Sequence, residues 1–128
     1  MSETPRLFRL NVEVGEIDRA AAFYAALLGQ EGRPQAGSRC YFDAGGVTLQ
    51  VVAAEAPHPA AKALYFAVAD LDSIHARAAE LGCLDGGSVH GTPAGEPVVR
   101  PWGERSFYAA DPWGNPLCFV EEGTIYGG

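Results

Sequence analysis

Val14-Gly15-Glu16-Ile17 and Val68-Ala69-Asp70-Leu71 stand 54 positions apart and read alike. Each closes an alternating run and opens a stretch with helical spacing. Ahead of the first, Leu7-Phe8-Arg9-Leu10-Asn11-Val12-Glu13-Val14 puts Phe8, Leu10, Val12 and Val14 on one side. Arg9, Asn11 and Glu13 fall on the other, the pattern of a strand with one buried face. Behind it, Ile17, Ala20, Ala21, Tyr24, Leu27 and Leu28 form one helical stripe, and Gly29 sits where a left-handed cap belongs.

The second unit repeats this order. Ala63 to Val68 reads as a strand, Asp70 as a helix N-cap, and Leu71, Ile74, Ala78 and Leu81 as a helical stripe closed by Gly82. Further strands are expected at Arg39–Phe42 and Val47–Val52, joined by hairpin residues Asp43-Ala44-Gly45-Gly46. Two more are expected at Arg105–Ala110 and Pro116–Glu121, with a short one near Ser88-Val89-His90. Each half thus reads strand, helix, strand, strand, strand. The expectation is an α+β fold, a single domain over residues 1–128. It consists of two βαβββ modules, at about 6–55 and 61–122, whose mixed sheets curl around a cleft with the helices outside. One half alone would leave a sheet face and both edges uncovered.

Composition narrows the function. A chain of 128 residues is the size of one domain, and 48% apolar with 20% charged residues excludes disorder as the main state. The longest uncharged apolar run, Ala20 to Leu28, is nine residues, far short of the roughly 20 that span a bilayer. Met1-Ser2-Glu3-Thr4 lacks the basic start and hydrophobic segment of a secretory leader. Cys40, Cys83 and Cys118 are an odd, widely spaced set, the usage of reduced cytoplasmic thiols. Nine Lys and Arg against 16 Asp and Glu give a net charge of −7. Such a chain repels phosphate backbones, so no nucleic acid and no membrane partner is expected. Excess negative charge serves solubility; it also attracts small cations.

The strand-helix junction Val14 to Gly29, the segment Val68-Ala69-Asp70-Leu71, and the stretch Pro101 to Asn115 with its Asp111-Pro112-Trp113-Gly114-Asn115 turn carry a resemblance. Together they resemble the vicinal oxygen chelate superfamily, also called the glyoxalase/bleomycin-resistance/dioxygenase superfamily. The resemblance implies paired βαβββ modules around a cleft, but not one function: the superfamily holds metal enzymes and metal-free antibiotic-binding proteins. Its metal enzymes place His or Glu at four positions, which align here with Arg9, Gln50, Ala63 and Cys118. A fixed cation, an amide, a methyl and one thiol do not make a divalent-metal site. His58 in the linker, His75 on the outside of the second helix and His90 in the Gly-rich stretch are expected far apart.

Strand parity and this resemblance nominate the ligand-binding residues: Arg9, Asn11, Glu13, Gln50, Tyr65, Trp102, Ser106, Tyr108 and Cys118. Arg9 and Glu13 share a face, so an ion pair between them is expected. Cys118 has no expected base beside it and reads as an apolar filler. Trp113 is expected to cover a module edge or a subunit contact. Tyr41 and Phe42 alternate, so one faces inward. Aromatic walls with scattered polar groups suit a small, partly aromatic ligand. The sequence therefore points to metal-free binding of such a molecule, without a cofactor, in a homodimer. The alternative is a metal-independent lyase, isomerase or cyclase of natural-product metabolism using Glu13, Tyr65 or Tyr108.

Overall fold

A computed structural model describes residues 3–127; the first two residues read for a leader lie outside them. Along the chain run β1 (Arg9–Val14), α1 (Ile17–Leu28), β2 (Arg33–Gln35), β3 (Arg39–Asp43) and β4 (Thr48–Ala53). There follow β5 (Leu64–Val68), α2 (Leu71–Glu80), β6 (Ser88–Val89), β7 (Thr92–Pro93), β8 (Val98–Val99), β9 (Arg105–Ala110) and β10 (Pro116–Glu121). Two four-stranded mixed sheets, ordered β1-β4-β3-β2 and β5-β10-β9-β8, repeat one topology: the first strand of each half pairs parallel with the last. A β6–β7 hairpin stands apart. Among the described residues no helix is long and apolar enough to cross a membrane.

One apolar core joins both halves. It takes Val12, Val14, Leu49 and Val51 from the first sheet, Phe107, Leu117 and Phe119 from the second, and Tyr24, Leu27, Leu71 and Ala78 from the helices. The strand alternation thus places its apolar side under the helices, as the sequence predicts. Gly29 takes the left-handed φ of 67° and returns its N–H to Ala25 O, and the Asp70 carboxylate caps Ser73 N. Phe23 lies outside the expected stripe but is buried. Its ring stands edge-on to Tyr24 at 5.2 Å, and it lines a surface pocket together with Cys83 and Ala110 of the second half.

Three expectations are corrected. Phe8 precedes β1 and is 54% exposed rather than part of the core, because the strand begins one residue later. Arg9 and Glu13 do not pair; a Glu13 carboxylate oxygen instead accepts from His58 N at 3.0 Å, which ties the linker to β1. His75 is half-buried rather than outside, with its ring edge-on to Phe107 and Nε2 2.9 Å from Gly95 O.

The Asp111–Asn115 turn staples the halves together. Asp111 is buried, and its carboxylate accepts from Tyr24 Oη at 2.7 Å, from the backbone N–H of Trp113 and Asn115, and from Asn115 Nδ2. Burial and the adjacent carboxylate both raise the Tyr24 pKa, so its hydroxyl remains a donor. Asn115 Nδ2 also donates to Glu13 O, and Asn115 Oδ1 accepts from Ala60 N. The Trp113 ring covers Gly15: a Cβ there would lie 2.5 Å from Trp113 Nε1. This explains why the first junction has glycine where the second has Ala69. Asn115→Leu removes three hydrogen bonds made by a buried side chain, one of them to the buried Asp111 carboxylate. It is expected to lower stability by about 2–4 kcal/mol in urea unfolding followed by circular dichroism.

Candidate functional site

The nine nominated residues divide between the two sheets. Arg9, Asn11 and Glu13 alternate along β1 with the core residues Val12 and Val14, so they occupy the face away from the core. Gln50 lies opposite Asn11 on β4 and opposite Tyr41 on β3, and its Nε2 donates to Asn11 Oδ1 at 2.8 Å. Phe42 is in the core, so Tyr41 is the residue that joins this face. The Arg9 guanidinium lies 5.0 Å from the Tyr41 ring centroid and 5.1 Å from that of Phe8.

The second sheet carries Tyr65, Ser106, Tyr108 and Cys118. Cys118 lies between Tyr65 and Tyr108 in register, with Leu117 and Phe119 turned to the core. The two tyrosine rings meet edge to face at 6.5 Å, and their hydroxyls are 3.4 Å apart. Burial, then the neighbouring Tyr65 hydroxyl, raises the Tyr108 pKa. Trp102 is half-buried, its Nε1 donates to Glu104 at 2.7 Å, and the His90 ring stands edge-on to it at 5.1 Å.

Arg100 decides which of these groups is accessible. It is 2% exposed and donates six hydrogen bonds: to Ser106 Oγ and Thr92 Oγ1, and to the carbonyls of Pro93, Ala94, Glu96 and Ser106. Its guanidinium also lies 5.4 Å from the Tyr108 ring centroid. One side chain thus clamps the 92–100 segment onto β9. Carbonyl and hydroxyl oxygens replace the carboxylate that a buried cation otherwise needs. Ser106 and Cys118 are buried on this sheet, at 1% and 0% exposure. Burial pushes the Cys118 thiol up to about 11, so at neutral pH it is a protonated, inert filler rather than a nucleophile.

The positions that hold metal in relatives do not fit a divalent ion here. Arg9 is a fixed cation, Gln50 offers only a neutral amide oxygen, Ala63 has no donor, and Cys118 is a buried neutral thiol. Within one chain the first-sheet and second-sheet groups do not share a cavity among the described pockets. The larger cavity, about 590 Å³, lies between the halves, and Leu10, Leu49, Leu64, Phe66 and Val68 are among its lining residues. Tyr65 is its only nominated member.

Arg100, Tyr41, Glu104 and His90 were not nominated. The parity of Phe42 would have found Tyr41. Arg100 is the only charged residue in the Pro97–Gly103 segment, a weak sign of burial. His90 meets Trp102 across 12 positions of chain, which local pattern does not show.

Residues 6–119 match the family model of the Glyoxalase/Bleomycin resistance protein/Dioxygenase superfamily. The chain belongs to this superfamily. A similar solved structure, "Oxidase ChaP-H2", is 26% identical, with 98% of each chain covered and a TM-score of 0.71. A bleomycin resistance determinant encoded on the transposon Tn5 is 22% identical, covering 91% of this chain and 98% of its own, at TM-score 0.68. A glyoxalase/bleomycin resistance protein from Albidiferax ferrireducens T118 is 21% identical, covering 88% and 94%, at TM-score 0.71. No curated protein sequence matches closely.

The Arg100 clamp is testable through Cys118. In wild type, maleimide labelling of Cys118 at pH 7.5 is expected to be slow. In Arg100→Ala it is expected to be at least about tenfold faster, because the segment lifts and the thiol meets water. Cys118→Ser in each background assigns the signal by mass spectrometry.

Proposed function

We propose that this chain is a metal-free binding protein that sequesters a small, partly aromatic molecule such as an antibiotic. The observation that carries this reading is the edge-to-face pair of Tyr65 and Tyr108 on the second sheet, to which the reading adds the Trp102 ring. Each ring is held by a polar partner, and no activated nucleophile stands beside it. Rings held in place lose little freedom when a planar ligand stacks on them. The donor set at Arg9, Gln50, Ala63 and Cys118, unsuited to a divalent ion, agrees with binding without a metal, and the fold is one that a bleomycin resistance determinant also has. Three unpaired thiols agree with a reducing, cytoplasmic setting.

The reading includes a homodimer. β1 and β5 end their sheets, and the apolar cavity between them is continuous with exposed Tyr65; Leu7 and Phe8 are exposed beside β1. A second copy would cover both edges. Two-fold pairing can also set the first-sheet face of one copy against the second-sheet face of the other, uniting the nominated residues in two equivalent clefts. Light scattering at micromolar concentration is expected to give twice the mass of the chain; a clean monomer overturns the dimer.

The oxidase among the similar structures favours a second reading, in which the bound molecule is also converted. Glu13, Tyr65 and Tyr108 are then the acid–base groups, and product analysis after incubation with a bound compound separates the two.

Binding is read by tryptophan fluorescence against a panel of aromatic antibiotics. A planar ligand is expected to quench the wild type, and Trp102→Ala to weaken it at least about tenfold, roughly 1.4 kcal/mol. Trp113→Ala is expected to leave affinity nearly unchanged, since that ring lies on Gly15. Equal affinity in Trp102→Ala removes Trp102 from the site. A broad panel that neither binds nor is converted removes the sequestration reading.

A further inference from the structure

The face of the first sheet away from the core holds two unmet polar groups side by side. Gln50 is 7% exposed, and its Nε2 is spent on Asn11, but its buried Oε1 receives no hydrogen bond among the described residues. A buried acceptor without a donor is rare and costly, and here it lies on the face where a ligand would come. Two positions away on the same face, Arg9 has its guanidinium against the Phe8 and Tyr41 rings. Among the described residues it makes no ion pair and no side-chain hydrogen bond. Stacking uses the faces of the guanidinium and leaves its N–H edge free for a planar, two-oxygen acceptor.

The charges around it favour an anion. Arg33 lies opposite Tyr41, and Arg39 alternates with Tyr41 along β3, so three of the nine basic residues share this face. Its carboxylates are engaged: Asp43 pairs with Arg33 at 3.0 Å, and Glu13 accepts from His58 N. The net charge of −7 would draw a cation to the molecule as a whole, whereas this face is locally positive.

We propose that this face of the first sheet takes an aromatic acid. The ligand's carboxylate lies on the free edge of Arg9 between the Phe8 and Tyr41 rings. A hydroxyl or amide N–H elsewhere on the same ligand donates to Gln50 Oε1. This rests on the reading that the chain binds a small aromatic molecule, and it adds the charge and the donor that the molecule carries.

Four probes of one size separate these features: 3-hydroxybenzoate, benzoate without the donor, 3-hydroxybenzyl alcohol without the charge, and 3-hydroxybenzylamine with the opposite charge. Titrations are followed by two-dimensional amide NMR of the full chain, which also reports folding of each variant. Expected are shifts in β1, β3 and β4, with 3-hydroxybenzoate binding at least about tenfold more tightly than the alcohol or the amine. Arg9→Gln, at an exposed side chain, is expected to erase the preference for acid over alcohol. Gln50→Leu is expected to erase the preference for 3-hydroxybenzoate over benzoate. If Gln50→Leu does not fold, Gln50→Glu replaces it, and its added carboxylate is expected to weaken both acids.

The proposal is overturned if the amine or alcohol binds as tightly as the acid. It also falls if Arg9→Gln keeps the acid preference, or if none of the four probes shifts these strands. A cationic or neutral aromatic compound that binds through Trp102 overturns the acid alone and leaves the aromatic-binding reading standing. Failure of the antibiotic panel overturns that reading.

Discussion

Asp111 is a buried carboxylate held by four donors, drawn from α1, from its own turn and from Asn115. Everything that positions the two sheets passes near it. Tyr24 brings the first helix to the turn between β9 and β10, and Asn115 reaches on to the end of β1 and to the linker. A carboxylate removed from water tolerates burial only when its oxygens are filled, so the turn cannot relax without exposing or stranding a charge. Trp113 on Gly15 adds shape to the same junction. Two modules that could each fold against any apolar surface are thereby held in one arrangement.

Two arginines illustrate how position sets the role of one side chain. Arg100 lies beneath its own segment with its donors filled by protein oxygens, and it shapes the second sheet without being available to a ligand. Arg9 stands on the first sheet with its faces stacked and its donors free. The same side chain is thus saturated in one place and open in the other, a distinction that composition and charge counts cannot make.

The chemistry of the site is restrained. The Cys118 thiol and the Tyr108 hydroxyl both hold their protons more tightly than usual, because burial disfavours their charged forms. Histidines are present, but His75 is engaged near Gly95 and His90 against Trp102, and neither meets a nucleophile. At the positions that align with the superfamily's metal ligands this chain carries a guanidinium, an amide, a methyl and a thiol. Superfamily membership alone does not decide between holding and converting a ligand.

Most of the fold was legible in the sequence because it is local. The alternation of β1, the stripe of α1, the caps Gly29 and Asp70, and strands β9 and β10 follow from periods of two and 3.6 residues. Strand parity also placed Arg9, Asn11, Gln50, Tyr65 and Cys118 on the faces they occupy, and the family resemblance did so for Ser106 and Tyr108. The short strands β2, β7 and β8 escaped, since two or three residues carry no period. Which of these residues meet solvent was not legible. Gln50, Ser106 and Cys118 are buried by segments outside their own strands, and Glu13 bonds His58 instead of Arg9. The sequence by itself determined which side of each strand a residue takes, because that depends only on the pleat. Only the tertiary structure decided which polar groups are satisfied and which are left open, because those partners come from segments that chain order does not bring together.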